Sequence, residues 1–102
     1  MNAKVTLTGN IGQNVEFKPL ENRGVYEISI ATNKHYKDKD SKKQTITTWH
    51  RAKLFTSSED LKFKKGDCLE ISGDLMYDEY QDKNGSKIKS AYIEIDEFTF
   101  HP

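Results

Sequence analysis

Several things are scarce in this 102-residue sequence, and each shortage excludes something. There is one cysteine, Cys68, so no internal disulfide can form, which fits a reducing compartment. No apolar run approaches the roughly 18 residues that a membrane-crossing helix needs. The opening MNAKVTLTGN lacks the apolar centre of a signal peptide. Hydrophobic residues are only 34% of the chain against 31% charged, so a self-sufficient aliphatic core is small and association between copies would help stability. Neither charge sign is in excess: 16 basic and 16 acidic residues leave a net charge of zero, which by itself announces no polyanionic partner. Catalytic and metal-binding patterns are missing as well. There is no G-x-S-x-G, G-x-x-x-x-G-K-[ST] or H-E-x-x-H, the histidines His35, His50 and His101 are scattered, and Cys68 has no neighbour at metal-ligand spacing. Acid pairs such as Asp78/Glu79 and Asp96/Glu97 are what 16 acids supply by chance. No enzymatic activity, metal or cofactor is therefore expected. Without internal repeats or a low-complexity linker, residues 1–102 read as a single domain.

Aromatics are present: five Phe, five Tyr and one Trp. Their placement is most telling in Gln44–Phe55, QTITTWHRAKLF. Side chains of a strand switch sides at each residue, so Thr45, Thr47, Trp49, Arg51, Lys53 and Phe55 share one face. Ile46, Thr48, His50, Ala52 and Leu54 share the other, which suits a core. The first face carries two large rings and two cations. A single-stranded nucleic acid needs that combination, because bases stack on rings and phosphates meet cations. The competing reading makes Trp49 and Phe55 core residues and lets Arg51 and Lys53 extend to solvent. From this strand alone the two weigh equally.

Charge distribution adds to the first reading. Residues 33–55 hold seven cations against two acids, a local excess of +5, while nine cations against fourteen acids leave −5 elsewhere. Lysine-rich loops are also common as merely solvated segments.

In chain order, alternation predicts strands at Lys4–Ile11, Val25–Thr32, Gln44–Phe55, Asp67–Tyr77 and Ser86 to about Phe100. Gly9 and Gly12 suggest a bend. Residues 33–43 read as a basic hairpin loop, and Asn84-Gly85 as a type I′ turn. The stretch 56–65 opens with Ser57-Ser58-Glu59-Asp60, a capping pattern that predicts a short helix ending at Gly66. Three strands, a helix and two strands describe an all-β OB-fold, a five-stranded Greek-key barrel, partly open, with the helix between strands 3 and 4. A plain antiparallel sandwich is the competitor.

KVTLTGNIGQNVE at 4–16, ISIATN at 28–33, TTWHRAKLF at 47–55, KKGDCLEISGDL at 64–75 and the Tyr80-Gln81-Asp82…Asn84-Gly85 hairpin together resemble the bacterial single-stranded DNA-binding protein family, in the right order over nearly the whole chain. The resemblance implies an OB-fold that binds single-stranded DNA independently of sequence, coating it in replication, repair or recombination, in the cytoplasm with the nucleoid. It also implies a homotetramer, with a dimer as the alternative. It assigns base stacking to Trp49, Phe55, Tyr36 and Tyr80 and places His50 at a subunit contact. Arg51, Lys53, Lys34 and Lys37 are the candidate phosphate contacts.

Three features depart from the family pattern. The helical segment is short. Met76, Asp78 and Glu79 stand where basic residues are common, which should weaken the DNA path there. The sequence given stops at His101-Pro102 without the long linker and acidic tip through which the family recruits other proteins, so it reads either as a natural short form or as a chain with its tail removed, and no tail-mediated recruitment is expected of it. Two other readings are an OB-fold interaction module, like the primosomal accessory proteins that touch both single-stranded DNA and replication proteins, and an OB-fold for RNA or oligosaccharide. Sedimentation at micromolar concentration is expected to report an oligomer, most simply a tetramer, and a monomer there would remove this expectation.

Overall fold

Residues 2–101 are described by a computed structural model, and every regular element in it is a strand. These are β1 (Lys4–Ile11), β2 (Phe17–Pro19), β3 (Gly24–Lys37), β4 (Lys43–Thr56), β5 (Cys68–Gln81) and β6 (Lys87–His101). Each alternates as its sequence does: Tyr26, Ile28 and Ile30 of β3, Ala52 and Leu54 of β4, and Leu69 and Ile71 of β5 are buried. The sheet order is β1-β5-β6-β4-β3-β2. At the end of β1, Asn10 and Ile11 also pair with Ala31 and Ile30 of β3, so the sheet curls back towards its start.

This is the strand order of an OB-fold, and the barrel is open, in line with the partly open one expected: the β4–β6 seam is a parallel contact of only two residue pairs, Ala52–Ile93 and Lys53–Glu94. Two features differ from the expectation. The three-residue β2 is an additional strand. Most important, no helix lies between β4 and β5.

Both the pattern of 57–67 and a contact from β3 work against the helix. Leu61 and Phe63 are two residues apart and cannot share a helical face, and a segment this short does not nucleate one without help. Phe63 instead drops into the barrel end, where it is buried. It packs edge-on to Tyr26 and Phe98, with ring centroids 5.2 and 5.4 Å away, and stacks on Phe100 at 5.3 Å. The Tyr26 hydroxyl donates to Ser58 O at 2.8 Å and accepts from Leu61 N–H at 3.2 Å. Ser58 N–H goes to Thr56 Oγ1. The backbone of Ser58, one of the expected capping residues, is thus used to pin a loop. Gly66, at φ +92°, turns the chain so that its N–H reaches Ile11 O.

β3 and β4, and β5 and β6, run beyond the barrel as two-stranded ribbons. Their tips share one device. Asp82 Oδ1 accepts from Asn84 N–H and Ser86 N–H, Gly85 N–H bonds Asp82 O, and Gly85 is left-handed at φ +80°. Asp38 Oδ1 likewise accepts from Asp40 N–H and Lys42 N–H, and Ser41, at φ +62°, takes the left-handed place. Only the residue after the two central positions has positive φ. The Asn84-Gly85 turn is therefore a three-residue loop built on a type I turn, not type I′. In β5–β6 the register shifts between Ser72 and Gly73, opposite the bulged Asp96. A side chain at Gly73 would meet Glu94 O at 2.0 Å. Lys4 Nζ reaches both Asp74 and Asp96, and those hydrogen bonds, Asp74 first, raise its pKa above the ordinary lysine value. No helix among the described residues is long and apolar enough to cross a membrane.

Tyr26→Phe keeps the ring and removes the hydroxyl that stands in for helix caps. It should lower the unfolding free energy by about 1–3 kcal/mol in urea titration, because the bonds to Ser58 O and Leu61 N–H have no substitute. An unchanged midpoint would show that the loop does not depend on them.

Candidate nucleic-acid interface

The β3–β4 ladder pairs Gly24 with Thr56 through to Lys37 with Lys43 without interruption. Alternation therefore assigns every side chain to a face. One face carries Trp49, Arg51, Lys53 and Phe55, as the sequence pattern expects. Across from it on β3 are Asn33, which accepts from Thr47 Oγ1 at 2.7 Å, and His35, whose Nδ1 lies 3.0 Å from Thr45 Oγ1.

Trp49 is 61% exposed and is not a core residue. A side chain on Gly12 would meet the Trp49 ring at 2.2 Å, so the ring lies against the bare backbone after β1. Glycine there gives the indole a seat and leaves the rest of it to solvent. Phe55 is half-buried, and the Arg23 guanidinium stands 4.6 Å from its ring centroid. That is a cation–π contact from the turn before β3.

β5 and β6 complete this face. Asp78 lies across from Arg51 and Lys53, and Ser90 lies beside Arg51. By alternation Met76, Tyr80, Ile88 and Tyr92 share the surface with Asp78 and Ser90. Tyr80 is thereby brought onto the face of Trp49 and is 53% exposed. Tyr92 lies under the Lys53 ammonium, 4.4 Å from its ring centroid.

Tyr36 and Lys34 are placed differently. The unbroken register puts them on the opposite face of the β3–β4 ribbon, with Thr32, Ile46 and His50. Lys37 falls on the Trp49 side. The four candidate rings are therefore all accessible but do not form one flat platform. Tyr36 belongs to the far end and other side of a ribbon, so a strand of nucleic acid that touched it and Trp49 would have to wrap. His50 is half-buried at the groove where β4 and β6 part, with Nε2 2.8 Å from Thr32 Oγ1.

The cations divide into two groups. Asp78 Oδ2 accepts from Arg51 Nη2 and Lys53 Nζ, each at 3.1 Å. The hydrogen bond from Lys53 and then that from Arg51 hold its carboxyl below the usual carboxylate range. Lys34, Lys37, Lys39, Lys42 and Lys43 have no ion pair among the described residues. Of the two acids in that loop, Asp38 and Asp40, Asp38 is tied to the turn: hydrogen bonds from the Lys42 amide, the Asp40 amide and Gln44 lower its pKa. No group of three or more His, Cys, Asp or Glu side chains able to hold a metal occurs among the described residues.

Arg23, Ser90 and Tyr92 were not among the expected site residues, and Asp78 was expected only as an acid that weakens the DNA path. Their roles depend on pairing between distant strands. Only the alternation of Ser90 with Tyr92 hinted at a shared face.

Comparison with known proteins places the chain in a family. The model of the single-strand binding protein family matches residues 2–101. A single-stranded DNA-binding protein of Xylella fastidiosa is 33% identical over 92% of this chain and 60% of its own length. The mitochondrial single-stranded DNA-binding protein of Pongo abelii is 31% identical over 95% of this chain and 73% of its own. The chain spans 54–60% of the bacterial relatives' length. Among solved structures, the Plasmodium falciparum SSB in complex with ssDNA has the same fold, with a TM-score of 0.87 at 22% identity over 100% of this chain and 96% of that one. The small single-stranded DNA-binding protein of Streptomyces coelicolor gives 0.77 at 16% identity over 98% and 94%.

Gly12→Ala should displace the Trp49 ring from its seat. Its emission maximum and its accessibility to acrylamide should both change, while the unfolding free energy moves by no more than about 1 kcal/mol. Unaltered fluorescence would mean the ring does not rest on Gly12.

Proposed function

Because the chain belongs to the single-strand binding protein family, we propose that it binds single-stranded DNA without regard to sequence and coats it during replication, repair or recombination. The observation that carries this reading is Trp49, a large ring seated on a strand yet open to solvent, at the foot of a lysine-rich ribbon. Bases stack on Trp49 first, and Phe55, Tyr80 and Tyr36 extend the contact along both ribbons. Each stacked base contributes about 1–3 kcal/mol whatever its identity, because every base has a π-face. Phosphates meet the unpaired Lys34 and Lys37 first. Arg51 and Lys53 are the other candidate phosphate contacts, but both already hold Asp78. The active form is a homo-oligomer, a tetramer by preference, with His50 near a contact between copies. Neither catalysis nor a cofactor has a part in this function.

Titration with poly(dT), poly(rU) and a glycan panel separates DNA binding from the other ligands an OB-fold can take. Oligo(dT) should quench the single tryptophan. Trp49→Ala should weaken binding by roughly tenfold or more and leave the folded state intact by circular dichroism. Phe55→Ala should cost less, its ring being smaller and partly covered. Unchanged emission on adding oligo(dT) would remove Trp49 from the binding surface.

A further inference from the structure

At the centre of the proposed DNA face the protein supplies its own anion. A single carboxylate oxygen, Asp78 Oδ2, lies 3.1 Å from both Arg51 Nη2 and Lys53 Nζ. Two cationic donors converging on one oxygen is the arrangement a phosphate oxygen would take. The surroundings hold this cluster in place. Arg51 Nη1 donates to Ser90 Oγ at 2.6 Å, which clamps the guanidinium between β5 and β6. The Lys53 side chain is only 17% exposed, with its ammonium over Tyr92. Neither cation can swing away to a distant phosphate without giving up at least two contacts.

We propose that Asp78 is a built-in competitor of the DNA backbone. It occupies the phosphate place between Arg51 and Lys53, repels an incoming phosphate and leaves this strip to bases. The backbone is then gripped at the lysines of the β3–β4 ribbon, so the strand crosses the sheet with its bases on Trp49 and its charge towards the ribbon. Asp78 thereby sets both the affinity and the salt dependence of the complex. The inference rests on the single-stranded DNA reading above.

Asp78→Asn keeps the side-chain shape and removes the charge. Its affinity for a labelled oligo(dT) should rise about threefold or more, the lower end for relieving repulsion between unit charges about 6 Å apart in water. The log–log salt slope should steepen by roughly 0.7 for each cation that then meets a phosphate. Arg51→Ala with Lys53→Ala should barely alter the slope when Asp78 is present, and should abolish the steepening in the Asp78→Asn protein. Thermal unfolding of each variant verifies that it is folded. If the wild type binds oligo(dT) but Asp78→Asn binds equally or less tightly with an unchanged slope, Asp78 is a positioning residue for Arg51 and the proposal is overturned. If the wild type fails to bind oligo(dT) at low salt, the single-stranded DNA reading itself falls, and this one with it.

Discussion

From Gly24–Thr56 to Lys37–Lys43 the β3–β4 ladder runs without a bulge, so the two-residue period of these strands is never reset. The barrel core, the aromatic face and the basic ribbon all follow from that continuity. Ala52 and Leu54 are buried because they are two apart, and Trp49, Arg51, Lys53 and Phe55 are then obliged to look outward together. A one-residue slip would exchange the two sets, placing an indole and a guanidinium in the core. Burial of one face thus holds the register that presents the other. Where β5 and β6 need curvature, a bulge at Ser72/Gly73 opposite Asp96 provides it, and Gly73 admits the close approach of Glu94.

What could be read in advance was whatever depends on neighbours in sequence. The five long strands and the outward set on β4 follow from alternation, but the face of β4 expected to suit a core is buried only at Ala52 and Leu54, because Ile46 and Thr48 lie on the ribbon beyond the barrel and are exposed. The helix was misread because Ser57-Ser58-Glu59-Asp60 is equally good turn chemistry, and the decision belonged to a distant group, the Tyr26 hydroxyl. β2 is three residues long, too short for any period to show. The hairpin read at 33–43 is shorter than expected, since β3 runs on to Lys37 and β4 begins at Lys43, and its tip gave no local signal because its left-handed residue is Ser41 rather than glycine. The placement of Tyr36 away from Trp49 followed from a register that the loop between them concealed. The charge cluster was the least legible part: Asp78, Ser90 and Arg51 sit on three strands, and nothing local to any of them announces the other two.

Electrostatics and stacking are divided in space on this molecule. At the centre of the aromatic face both cations, Arg51 and Lys53, are engaged by Asp78, whereas the lysines of the β3–β4 ribbon have no ion pair among the described residues. Net neutrality of the chain therefore conceals a strongly polarised surface.

The ribbons have a second consequence. Beyond the barrel, residues 32–37 and 43–48, and likewise 76–81 and 87–92, pair only with each other among the described residues. Each ribbon therefore has two open backbone edges, the kind of surface on which strands of another molecule can add and aggregates can grow. Lysine is among the residues best suited to blocking such growth, since its charge cannot be buried against a neighbouring copy. Lys34, Lys37 and Lys43 on one ribbon and Lys87 and Lys89 on the other stand at those edges. The charges that would greet a phosphate also keep one copy of the protein from knitting into the next.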